Sequence, residues 1–97
     1  MDTVTTARNE IEPLLAELIR QLHEEGRATQ RAVFIRIHAS LQNARTEVEL
    51  ARPFSALSTS ASMGFDLSGD ADVLLQRILE KTRQLSDAVP GKPGISH

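Results

Sequence analysis

Among the side chains of this 97-residue sequence, His38 has the clearest claim on chemistry. An imidazole titrates at about 6.5 when unperturbed, so it can carry a proton or accept a phosphoryl group at neutral pH. A histidine beside the apolar seam of a bundle helix is well placed for such transfer, but it needs a lysine or a carboxylate nearby to activate the ring. The surroundings here are Ile37-His38-Ala39-Ser40-Leu41, with neither kind of residue in the adjacent turn. The plain alternative is a surface or half-buried histidine without a chemical role.

Metal chemistry finds less support. A di-iron bundle requires Glu-x-x-His, and neither His23 nor His38 has a glutamate three residues before it. Asp66, Ser68, Asp70 and Asp72 outline a calcium loop only faintly. Counted from Asp66, Ala71 stands where glycine is required and Arg77 where a bidentate glutamate is required. Helix capping accounts for those aspartates better. The chain contains no cysteine, which removes disulfides, zinc–thiolate sites and thiol catalysis together. There is no nucleophile elbow, phosphate-binding glycine loop or dinucleotide fingerprint. The expectation is therefore a protein that is not an enzyme and uses neither cofactor nor metal.

Charge spacing offers a second kind of function. Arg31, His38, Arg45 and Arg52 recur every seven residues, and so do Glu10, Glu17 and Glu24. Stripes of opposite sign could meet across a subunit or partner interface. They could equally be the solvated faces of two amphipathic helices, since exposed ion pairs contribute only about 0–1 kcal/mol each. Arg31, Arg36, Arg45 and Arg52 also suggest nucleic acid. The net charge of -2 and the lack of aromatic residues beside those arginines argue against it.

The elements that carry these residues read as helices. Val4, Ala7, Ile11, Leu14, Leu15, Leu18 and Leu22 place an amphipathic helix over residues 3–25, with Asp2 or Thr3 as its cap and Gly26 as its stop. Pro13 interrupts it: either the helix kinks near residues 9–13 or it begins at Glu12 with Pro13 in its first turn, and the unbroken apolar phase favours the kinked helix. A second helix, capped by Thr29, is predicted over residues 29–52. Its seam is Phe34, Ile37, Leu41, Ala44, Val48 and Ala51, and this long repeat outweighs the strand-like look of residues 33–38. Pro53 is expected to end or bend that helix.

Residues 53–69 are rich in serine and glycine and read as a crossover loop with at most a helical turn at 54–57. Met63 and Phe65 lie within it, either docking a partner or folding back over the open end of the bundle. A last helix is predicted over residues 70–88, capped by Ser68 or Asp70, and a disordered tail over 90–97.

Composition agrees with one small helical domain over residues 1–89. Hydrophobic residues make up 40%, charged residues 25% and aromatics 3%, a core of aliphatic side chains better suited to helices than to a β-sandwich. No signal peptide and no membrane-spanning run is evident, so a soluble cytoplasmic protein is expected. The predicted architecture is an all-α, up-down-up bundle of three long helices with a possible short fourth in the crossover. The apolar faces holding Leu15, Leu22, Phe34 and Ile37 look wider than a monomer needs, which predicts a homodimer through the first two helices. The expected function is a non-enzymatic protein–protein interaction or regulatory module. Histidine phosphotransfer through His38 is the alternative.

Overall fold

The computed structural model describes residues 2–63 and 67–86. The chain enters its first helix, α1 (Thr3–Glu10), at Asp2, whose side chain accepts the Val4 N–H at 3.3 Å. Only Ile11 separates α1 from α2 (Glu12–Glu24), and its own backbone is helical. Ile11 N–H still bonds Ala7 at 2.8 Å and Leu15 N–H bonds Ile11 at 2.9 Å. In place of one kinked helix there are thus two, because Pro13 takes its place in the first turn of α2, where its missing N–H costs least. Val4, Ala7, Ile11, Leu15, Leu18 and Leu22 form one buried stripe across the break. That continuous phase explains why the two segments act as a single arm.

Gly26 ends this arm with φ +72, the left-handed conformation that glycine adopts without steric cost. Gly26 N–H bonds His23 and Arg27 N–H bonds Leu22, a Schellman closure that satisfies carbonyls left open by the helix end. Helix α3 (Ala28–Asn43) follows at once and packs on α2. Its N-cap is Arg27 with no side-chain bond, so Thr29 is not the cap that the sequence suggested. Residues 33–38 are helical, and no strand occurs among the described residues.

The principal departure from expectation comes next. The predicted rod over residues 29–52 is two helices, with Ala44 (ψ 127) and Thr46 (φ -131, ψ 163) extended between them. Thr46 and Glu49 form a reciprocal capping box. The Thr46 hydroxyl accepts the Glu49 N–H at 3.3 Å, and Glu49 Oε1 accepts the N–H groups of Thr46 and Arg45 at 3.1 and 2.8 Å. Helix α4 (Glu47–Ser62) starts there and occupies most of what was expected to be a loop. The fourth helix is therefore long and not a short turn, and the fold has four helical arms where three were predicted.

Pro53 does not end the helix but lies inside α4, fully buried. An interior proline costs about 3 kcal/mol, and the burial of its ring with Leu50, Phe54 and Leu57 opposes that cost.

The last helix, α5 (Gly69–Ser86), begins under a cap from Ser68, whose Oγ accepts the Ala71 N–H at 3.2 Å. The same hydroxyl donates to Glu25 Oε2 at 2.5 Å, which fastens the start of α5 to the end of α2. Ala71, Leu75 and Ile78 bring α5 into the shared core, which also contains Phe34, Ile37 and Leu41. The buried hydroxyls of Ser60 and Thr82 donate to carbonyls of their own helices. No described helix is long and apolar enough to cross a membrane. Phe65 and the expected C-terminal tail lie outside the described residues.

Candidate functional site

The corner between α3 and α4 also creates a groove of about 640 Å³. Its α3 wall is Arg36, Ser40 and Asn43, which at steps of four and three share one face of the helix. Its α4 wall is Val48, Glu49 and Arg52, and Ala44 forms the floor at the corner. Most of these residues are exposed, with Ala44 buried and Ser40 partly so. The groove falls in the size range of ligand clefts, about 300–1,000 Å³.

Two interactions hold the corner. From α1, the Arg8 guanidinium donates to the Ala44 carbonyl at 2.5 Å and the Gln42 carbonyl at 3.2 Å, satisfying groups left open at the end of α3. On the other side stands the Thr46–Glu49 box. The Arg45 N–H, and secondarily the Thr46 groups, hold the Glu49 carboxyl below the usual glutamate range. Glu49 is consequently committed to the start of α4, where the helix dipole also favours a negative charge.

Arg36 and Arg52 have no such commitment. Neither is ion-paired to a carboxylate among the described residues. Arg20 bridges Glu17 and Glu24, Lys81 reaches Glu10 at 3.0 Å and Arg83 pairs with Glu80, whereas Arg27, Arg31, Arg45 and Arg77 also lack an ion pair among the described residues; what sets Arg36 and Arg52 apart is that they line one groove. The groove thus combines two guanidiniums without an ion pair, the Glu49 carboxylate, an amide, a hydroxyl and the exposed side chain of Val48. Such a surface can take a carboxylate-bearing chain but presents no nucleophile with a base beside it.

The residues expected at an interface fare differently. Leu15, Leu22 and Phe34 have no exposed surface and Ile37 only 4%, so all four are spent in the core of a single chain. The apolar faces looked too wide because α4, which packs on α3, was expected to be mostly a loop. The basic stripe is also dispersed. Arg31 and His38 remain on α3 and are half-buried, with Arg31 Nε and His38 Nε2 both sealed from solvent and unpartnered. Arg45 lies in the extended corner, and Arg52 is carried by α4 into the groove beside Arg36. The acidic stripe does not face it, since Glu17 and Glu24 pair within α2 and Glu10 pairs with α5. Met63 is exposed at the end of α4, while Phe65 lies outside the described residues.

Ser40, Asn43, Val48 and Glu49 were missed by spacing alone. The signal that could have found them is Thr46-Glu47-Val48-Glu49, a capping-box sequence that starts a helix and therefore implies a corner. Compared with known protein families, characterised proteins and solved structures, the chain matches none of them.

Proposed function

We propose that this chain is a non-enzymatic protein-interaction module whose working face is the groove at the α3–α4 corner. One observation carries this reading: Arg36 and Arg52 converge on a shared groove and neither has a carboxylate partner among the described residues. Guanidiniums bind carboxylates through paired hydrogen bonds, and surfaces that offer arginine beside an apolar side chain suit protein contacts.

The test is site-specific photo-crosslinking. A benzophenone side chain replaces Val48 in the groove or Val73, which is also exposed but on α5. Illumination in extracts of the producing cells, with adducts identified by mass spectrometry, is expected to give a discrete heterologous adduct from position 48 only. The same adducts from both positions would count against the groove. An adduct between two copies of the chain from position 48 would make the partner a second subunit.

Phosphotransfer through His38 is the competing reading, and burial of Nε2 without a partner gives it little support. Incubation with a small phosphoryl donor separates the two. Acid-labile phosphate that disappears in His38→Gln would favour phosphotransfer.

A further inference from the structure

We infer that the occupant of the groove is an acidic amphipathic segment of a different polypeptide, whose carboxylates meet Arg36 and Arg52 while an apolar side chain covers Val48. This inference rests on the groove being the working face and adds the chemistry of what binds there. Val48 is 66% exposed, the most open of the large hydrophobic residues described. It stands on the α4 wall with Arg52, opposite the wall that carries Arg36. A ligand that satisfied the guanidiniums alone would leave Val48 wet, and an apolar ligand would strand two charges.

The one acidic residue in the groove does not cancel this field. Glu49 offsets one of the two guanidinium charges and leaves the groove net positive, and its Oε1 already accepts hydrogen bonds from the Arg45 and Thr46 backbone. The net charge of -2 on the whole chain does not oppose the contact either, because exposed charges more than about 8–10 Å away are screened at physiological salt. Ser40 and Asn43 lie on the same face of α3 as Arg36 and supply donors and acceptors for the backbone of a bound segment.

A second copy of the chain fits less well. Its acidic stripe is engaged, Glu17 and Glu24 with Arg20 and Glu10 with Lys81, and Glu12, Glu47, Asp70 and Asp72 each stand in the first turn of a helix, whose dipole already favours their charge.

Selection from an unbiased peptide library tests the inference. The purified full chain is panned against displayed random 12-residue peptides in dilute buffer. Enriched sequences are then synthesised and their affinities measured by fluorescence anisotropy. The expected result is an excess of Asp and Glu flanking an apolar residue. Binding should fall at least about tenfold in the Arg36→Gln/Arg52→Gln double variant and weaken with added salt. Arg77→Gln, an exposed change on α5, should leave it unaltered.

Enriched peptides without acidic excess that nevertheless lose binding in Val48→Asp would overturn the acidic partner and leave the groove as a docking face. Failure to enrich any sequence, or peptides indifferent to every groove substitution, would overturn both.

Discussion

Thr46 shows how much one side chain decides. Its hydroxyl and the Glu49 carboxylate satisfy each other's backbone donors, and this stops α3 and starts α4. Thr46→Ala removes half of the box and should cost about 1 kcal/mol, since N-cap deletions typically do. For a domain of this size that is a fall of roughly 4–8 °C in Tm, readable by thermal unfolding.

A linked prediction concerns acid. The Arg45 backbone holds the Glu49 carboxyl down, and Gln21 followed by Ser68 does the same for Glu25. A carboxyl whose folded pKa is depressed binds fewer protons folded than unfolded. Its contribution is therefore complete above the unfolded value, about 4.3, and is lost as pH falls through the lower folded value. Urea unfolding should show a stability loss below about pH 4.3 that is shallower in a Glu25→Gln/Glu49→Gln variant. An unchanged acid slope in that variant would mean the two carboxylates are not held as described.

At the scale of elements, the sequence disclosed the helices more readily than their ends. The first arm and α5 were legible because their apolar stripes are long and in phase. The Gly26 stop was legible because no other residue type takes φ +72 so cheaply. Gly26→Ala should accordingly cost about 1–2 kcal/mol in urea unfolding. Nothing lies within 4 Å of the added methyl, so this cost would be conformational and not steric.

What misled the reading of residues 29–52 was Val48 and Ala51, which extend the seam of α3 on paper. In the fold Val48 is exposed, and the core resumes at Leu50 after Ala44. Six residues turn a helix by roughly 600°, which would leave Leu50 about 120° around the helix from Ala44 and off the line of the seam. That step, with the capping sequence between, was the physical sign of a corner. The groove was illegible for the same reason, because its two walls come from helices that periodicity had merged into one.

For the whole molecule, the question is whether its apolar surface is spent within one chain or between chains. Leu15, Leu22, Phe34, Ile37 and Leu41 are all buried in the single chain, Leu41 to 1% exposure. Leu41→Asp should therefore abolish helical circular dichroism, because a carboxylate would sit in the core without a partner. Val48→Asp, at an exposed position, should leave the helical signal and the sedimentation coefficient unchanged while disabling the groove. A Leu41→Asp chain that stays helical and merely sediments more slowly would place Leu41 at a subunit contact instead.

The corner itself is open to direct observation. Backbone NMR of the intact chain should give helical ¹³Cα and ¹³Cβ shifts over Ala28–Asn43 and again over Glu47–Ser62, with extended values at Ala44 and Thr46 between them. Helical shifts running without interruption through residues 43–47 would contradict the separate α4, and the groove that Arg36 and Arg52 share would go with it.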